Sequence, residues 1–337
     1  MNAISEDRQT RLRAVAAKVA ARVEEAMRSD LESALRGCDP LLVEVLEYGL
    51  FGGGKRIRPL LAVLSASICG RRDGDVYLLA AAFEYLHVAT LIHDDVIDHA
   101  RDRRGREAVG SKYGMAAAIL AGDWLHARSM HLVGRLIGAD GLDIFCRATG
   151  AMVDGEFLQL RYVGDAGIGE DEYFAVIARK TGSLIASTCA LGALFGGGDQ
   201  KRQQAMQNYG EKVGAAFQVV DDLLDYLGSQ QQTGKKVGND FIEGKVTLPV
   251  IAAMEQAGPE EQQELLALFS GDRTRDGAYR KLYDILERLG GFQRAQQTAQ
   301  ELVREAVDSL QVFAAAEDEE TYALLSAIAE YILVRNK

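Results

Sequence analysis

Apolar residues recur at helical spacing from Glu6 almost to the end of the chain, and alternating β-branched runs of the kind that build strands are scarce. Alanine and leucine, strong helix formers, are abundant. Glycine and proline supply the punctuation, with breaks at residues 37–40, 52–54, 70–74, 101–105, 164–169, 196–199, 228–240, 258–259, 271–277 and 290–291. About a dozen segments of helical length lie between them. Only four prolines occur in 337 residues (Pro40, Pro59, Pro249 and Pro259), so long helices run without a breaker. Segments 76–98, 115–137, 141–162 and 201–227 are the most apolar, which predicts central helices with few exposed positions. The predicted fold is all-α. No low-complexity linker divides the chain, so residues 1–337 read as a single domain, with residues 1–40 a helical segment for packing or for a dimer contact.

The same acidic pentad sits in two of those apolar stretches: Asp94-Asp95-Val96-Ile97-Asp98 and Asp221-Asp222-Leu223-Leu224-Asp225. Buried carboxylates without partners lose their hydration at high cost, so something must neutralise them. Positions i and i+4 of a helix share a face, which pairs Asp94 with Asp98 and Asp221 with Asp225. Two such faces opposed across a cavity would hold several divalent cations. Hard oxygen donors with no His or Cys cluster nearby favour Mg²⁺. His87 lies two turns before Asp94 on nearly the same face and is a candidate binding residue. His93, His99, His126 and His131 have no such alignment and are left unassigned.

Composition narrows the partners. A net charge of −11 argues against general nucleic-acid binding. Cys38, Cys69, Cys146 and Cys189 are scattered without a CxxC pair, as expected of small buried hydrophobes in a reducing cytosol, so a cytoplasmic location is expected. The N-terminus is charged throughout and is not a signal peptide. No run of about 18 apolar residues is evident, so no stable membrane insertion is expected.

Three basic clusters accompany the carboxylates. Gly52-Gly53-Gly54-Lys55-Arg56-Ile57-Arg58-Pro59 is a glycine loop followed by three cations, of which Lys55 and Arg58 can grip a phosphate. Arg103-Arg104-Gly105 follows Asp98 closely, and two guanidinium forks aimed differently suit two neighbouring diphosphates. The third set is Lys180 and Thr181 with Lys235 and Lys245. There is no Ser-His-Asp pattern, no GxSxG and no GxxxxGK[ST], which argues against nucleophilic hydrolysis and against an ATPase or kinase. A site of carboxylates and cations in apolar walls binds a polyphosphate carrying a greasy group, through Mg²⁺, and helps it leave or transfer.

These motifs resemble those of the trans-polyprenyl diphosphate synthases, and most of all the bacterial long-chain, octaprenyl-type enzymes. The loop around Lys55, the first pentad with Arg103-Arg104-Gly105, Gly122-Asp123-Trp124, Gly155-Glu156, Lys180-Thr181-Gly182-Ser183, Gly214-Ala215-Ala216-Phe217-Gln218 with the second pentad, and Glu243-Gly244-Lys245-Val246-Thr247-Leu248-Pro249 match in order. The likeness runs from about residue 42 to the C-terminus. It implies a large helical bundle of the isoprenoid synthase type around a deep central cavity. It gives Lys55, Arg58, His87 and Arg104 to isopentenyl diphosphate. Arg103, Lys180, Thr181, Gln218, Lys235 and Lys245 go to the allylic diphosphate. Asp94, Asp98 and Asp221 would touch Mg²⁺ directly, with Asp95, Asp222 and Asp225 acting through water, and three Mg²⁺ per active site once substrate is bound. Lys236 stands where the family often has proline, so either Lys235 or Lys236 reaches the diphosphate. The family chemistry implies ionisation of the allylic C–O bond, attack by the isopentenyl double bond, and proton removal by the released diphosphate. A homodimer and a peripheral membrane contact for product release are expected.

Chain length should be read along the helix upstream of Asp94. Thr90 and Ala89, where short-chain members carry aromatics, are small, so the tail passes, and Tyr85 or Phe145 is expected to form a deeper floor. That reading gives a long-chain product for quinone side chains, with octaprenyl diphosphate as the central expectation and farnesyl diphosphate as the starter. A farnesyl or geranylgeranyl synthase is the alternative, followed by a catalytically silent subunit of a heteromeric synthase, which should have lost aspartates. A class I terpene cyclase should lack the paired site of Lys55, Arg58 and Arg104.

Overall fold

The structure, a computed structural model, describes residues 6–228, 237–314 and 318–334. Lys235 and Lys236 lie outside the described residues. The architecture is all-α, as the periodicity predicts. In order come α1 (Glu6–Ala34), α2 (Pro40–Leu50), α3 (Ile57–Ile68), α4 (Gly74–Ile97), a hairpin of β1 (Asp102–Arg103) and β2 (Arg106–Glu107), α5 (Val109–Tyr113), α6 (Met115–Ile137), α7 (Ala139–Tyr162), α8 (Glu170–Ile177), a π-turn (Ala178–Gly182), α9 (Ser183–Phe195) and α10 (Gln200–Leu227). Shorter helices follow, then Gly291–Ser309 and the terminal helix Glu319–Val334.

Local chemistry sets the boundaries. Asp39 accepts from the Leu41 N–H and precedes Pro40, Asp73 accepts from the Asp75 N–H, and Asp199 accepts from the Arg202 N–H, so each caps a helix N-terminus. Gly114 and Gly138 adopt φ of +88° and +92°, which lets the chain reverse on either side of α6 at positions where a Cβ would be strained.

The apolar helices form the centre. α4 lies against α1, α3 and α6, and α9 lies between α3, α7 and α10. The buried apolar side chains make one cluster running from Leu12 to Ile332. α4 is long and apolar enough to cross a membrane, but 67% of its apolar stretch is buried inside the bundle, where it serves as a core helix. α1 packs on α4 and α3 and reaches the terminal helix through Arg8–Glu330 (3.2 Å) and Arg11–Glu320 (2.8 Å).

Candidate active site

The first acidic pentad closes α4. Asp94 and Asp95 are on its last turn, and Asp98 is its C-cap, exposed where the chain leaves the bundle. Burial raises the Asp94 carboxyl to about 6, with Glu156 and Asp98 adding to the effect and Lys180 and Arg103 opposing it. Asp95 is buried, and the Arg103 Nε donates to its two oxygens at 2.6 and 2.7 Å. The next two residues explain how adjacent arginines part company. Arg104 and Gly105 form a two-residue hairpin turn with φ of +52° and +74°, the signature of a type I′ turn. Arg103 folds back to Asp95, while Arg104 reaches across to the Gly53 carbonyl.

Arg104 thereby joins a cavity of about 570 Å³ lined by Lys55, Arg58, Glu84 and His87 on one side and by Phe217, Asp221 and the terminal-helix residues Ile328 and Tyr331 on the other. Burial, and then the neighbouring Arg58 and Arg104, hold His87 well below its ordinary pKa, so it is a neutral donor or acceptor. Burial likewise lowers Arg58, whose Nε is sealed without a hydrogen-bond partner among the described residues. Arg56 differs from its two cationic neighbours. It is buried at a left-handed φ of +48°, paired with the buried Glu84, and donates to the Leu50 carbonyl at 2.6 Å. It braces the loop from behind.

The second pentad lies on α10 and lines a separate cleft of about 180 Å³ with Lys180, Thr181, Gln218 and Lys245; Asp221 borders both cavities. Asp222 is buried, accepting from Tyr173 Oη at 2.6 Å and from Gln218 Nε2 at 2.8 Å. Burial and the nearby Asp240 raise its pKa. Asp225 accepts from the Asp240 N–H at 3.0 Å. Lys245 contacts Asp240 (3.3 Å) and Glu243 (2.5 Å); burial opposes its charge, but those carboxylates hold it above the usual lysine range.

The π-turn presents Lys180 and Thr181 between the motifs. One extra residue per turn is a common device at functional sites. Lys180 Nζ lies 2.8 Å from Glu156 Oε1 and 3.3 Å from Gln159 Oε1, and Thr181 Oγ1 donates to Gln218 Oε1 at 3.1 Å. Lys180 therefore joins the two acidic motifs: it acts on Asp94 from one side and lines the cleft of Asp221 and Asp222 on the other.

The residues expected to govern chain length separate. Thr90 is half-buried, its hydroxyl donating to the His87 carbonyl, on the same face of α4 as Asp94. Ala89 is 2% exposed and shares a buried stripe with Tyr85 and Ile92 on the far side of the helix. Tyr85 is fully buried and turned toward α1. Its hydroxyl is committed to α1, donating to Met27 O (3.2 Å) and Asp30 Oδ2 (3.1 Å). Phe145 packs on Phe83 with ring centroids 5.8 Å apart, and Phe83 lies three turns below Asp94 on the carboxylate face. Phe83 went unread in the sequence although its helical phase with His87 and Asp94 was visible. Glu84, Tyr173 and Asp240 also went unread as site residues, because only tertiary contact brings them to the motifs. Glu156 reads in the sequence only as part of a motif, and its contact with Lys180 and its effect on Asp94 appear in the fold.

All the donors around Lys180 are hard oxygens, and the mutual repulsion of Asp94, Asp98 and Glu156 is what a divalent cation relieves. Among the described residues, no three acidic, His or Cys side chains form a ready-made metal cage.

Comparison with known proteins finds relatives along most of the chain. The sequence profile of the polyprenyl synthetase family matches residues 39–286. The octaprenyl diphosphate synthase of Escherichia coli is 34% identical over 296 residues, covering 88% of this chain and 89% of that one. A short chain isoprenyl diphosphate synthase of Methanothermobacter thermautotrophicus is 35% identical, covering 87% and 90%. The crystal structure of a polyprenyl synthase from Caulobacter crescentus, complexed with calcium and isoprenyl diphosphate, superposes with a TM-score of 0.86 at 32% identity over 100% of both chains.

Proposed function

Since the chain belongs to the polyprenyl synthetase family and is a prenyl transferase making polyprenyl diphosphates, we propose that it elongates an allylic diphosphate, farnesyl diphosphate first, with isopentenyl diphosphate to a long-chain all-trans product, octaprenyl diphosphate being the central expectation. The observation that carries the reading is the pair of basic cavities meeting at Asp221. A hydrolase or cyclase needs one diphosphate site; condensation needs two.

Lys55, Arg58, His87 and Arg104 hold the isopentenyl diphosphate, with the neutral His87 adding a hydrogen bond and no charge. Lys180, Thr181, Gln218 and Lys245, with Arg103 once it leaves Asp95, hold the allylic diphosphate, and Lys235 belongs to that set by sequence alone. Asp94, Asp98 and Asp221 would hold Mg²⁺ directly, with Asp95, Asp222 and Asp225 around them. Three bound Mg²⁺ would supply positive charge to the departing diphosphate and its oxygens. The basic residues of the cleft stabilise the same developing charge, so the allylic C–O bond breaks. The isopentenyl double bond then closes a new C–C bond on the cation, and the proton lost restores the alkene. The released diphosphate takes up that proton. Apolar walls keep water from the cation.

The exposed Met115, Ile119 and Leu120 of α6 and Val153, Phe157 and Leu160 of α7 favour pairing with a second copy of the chain. The test of function is incubation with farnesyl diphosphate, isopentenyl diphosphate and Mg²⁺ followed by chromatography of the dephosphorylated products. A ladder ending near eight isoprene units is expected, and products no longer than geranylgeraniol would favour the short-chain reading. Undiminished elongation in excess EDTA would refute the metal assignment.

A further inference from the structure

Beyond the residues that meet either diphosphate, one buried hydroxyl reaches the second acidic motif. Tyr173 of α8 is 4% exposed, and its Oη donates to Asp222 Oδ2 at 2.6 Å. The other oxygen of that carboxylate, Oδ1, accepts from Gln218 at 2.8 Å, and Gln218 Oε1 accepts from Thr181 at 3.1 Å. The amide of Gln218 is oriented by its neighbours, its nitrogen to the carboxylate and its oxygen to the hydroxyl. The result is one unbroken chain of hydrogen bonds from α8 through α10 to the π-turn.

Buried tyrosine hydroxyls elsewhere in the bundle bond to the scaffold away from the cleft, as Tyr85 does with Met27 O and Asp30. Tyr209 does so with Leu325 O at 2.8 Å, and Tyr279 with Tyr226 O at 3.0 Å. Tyr173 instead spends its donor on a carboxylate of the cleft, and its ring is held edge-on by Phe174 at 5.4 Å. With both oxygens of Asp222 bonded to the scaffold, the carboxylate faces the cleft in one orientation, and Thr181 is tied to it through Gln218.

We propose that Tyr173 is a positioning residue for the metal and allylic diphosphate side of the site: it fixes Asp222 and, through Gln218, Thr181 in a single register. The proposal rests on the prenyl-transfer reading above. Its consequence is asymmetric, because Tyr173, Asp222, Gln218 and Thr181 all line the cleft of Lys180 and Lys245, whereas Lys55, Arg58, His87 and Arg104 line the other cavity. Losing such a buried hydrogen bond is worth on the order of a tenfold change in binding.

The experiment uses the full chain carrying Tyr173→Phe. Calorimetry measures binding of farnesyl diphosphate with Mg²⁺ and of isopentenyl diphosphate separately, and steady-state kinetics gives both KM values and the Mg²⁺ concentration for half-maximal rate. About tenfold weaker binding of farnesyl diphosphate and about tenfold more Mg²⁺ at half-maximal rate are expected, with isopentenyl diphosphate within twofold of wild type. Asp222→Asn should show the same split, and the double variant should be no worse than Asp222→Asn alone. If Tyr173→Phe does not fold, Asp222→Asn carries the test from the other end of the chain. Equal weakening toward both diphosphates, or an unchanged Mg²⁺ requirement, overturns the proposal. A wild-type protein that elongates nothing sinks the prenyl-transfer reading itself, whereas an active wild type matched by Tyr173→Phe sinks only this role for Tyr173.

Discussion

Gly155→Ala tests how closely the site depends on backbone packing. In an exposed helix interior this change stabilises a protein by up to about 1 kcal/mol, since glycine has more freedom to lose on folding. At Gly155 the sign should reverse. A Cβ there would sit 2.5 Å from the Lys180 backbone nitrogen, 2.9 Å from its Cα and 3.0 Å from the Arg179 carbonyl carbon, where ordinary contact begins at 3.4 Å. The neighbours are backbone atoms, so no side-chain rotation relieves the clash. α7 and the π-turn must part by roughly 0.9 Å, the difference between 3.4 and 2.5 Å. Overpacking of this kind costs about 1–3 kcal/mol. The displaced residue is Lys180 itself, and a shift near 1 Å in a positioning group costs on the order of 10²-fold in rate. Gly150 lies on the same helix with open space around its would-be Cβ and is the internal control. Thermal melts and radiolabelled elongation assays should show Gly150→Ala equal to or more stable than wild type at full turnover. Gly155→Ala should melt lower and lose one to two orders of magnitude in kcat. A Gly155→Ala protein as stable and as fast as wild type would refute the reasoning.

The raised Asp94 pKa, about 6 against an ordinary 3.8, sets a pH dependence. The folded protein binds this proton more tightly than the unfolded chain, so in metal-free protein the Asp94 contribution to stability is greatest below 3.8 and is lost as pH rises through about 6. Asp94→Asn should flatten that part of a pH–melting curve, and in the wild type apparent Mg²⁺ affinity should fall by up to about tenfold per pH unit below 6. Arg104→Ala should raise the KM for isopentenyl diphosphate tenfold or more with little effect on the allylic KM, and Arg103→Ala the reverse; identical defects would contradict the divided hairpin. Phe145→Ala removes half of the Phe83–Phe145 pair and should lengthen the product by one or more isoprene units, at a stability cost of about 3–5 kcal/mol from the cavity left behind. An unchanged product ladder from an active Phe145→Ala enzyme would put the floor elsewhere.

The sequence by itself determined the helical class, most helix boundaries and the chemical identity of the site. Periodicity, capping aspartates and glycine stops act within a few residues, and segment 115–137 coincides with α6. The acidic pentads were legible for the same reason, because their spacing encodes which side chains share a face. Tertiary structure alone decided which partner each group takes. Arg56 reads like Lys55 and Arg58 along the chain, but in the cavity wall the buried Glu84 and the Leu50 carbonyl engage it as a brace. Tyr85 reads as a cavity floor, but α1, more than fifty residues away in sequence, supplies Met27 and Asp30 for its hydroxyl. Likewise, Tyr173 and Asp240 become neighbours of the second motif only when α8 and the segment after α10 fold against it. Patterns of spacing are fixed by the helix repeat, whereas the partner of a buried charge is fixed by whichever distant helix reaches it, and no local pattern carries that information.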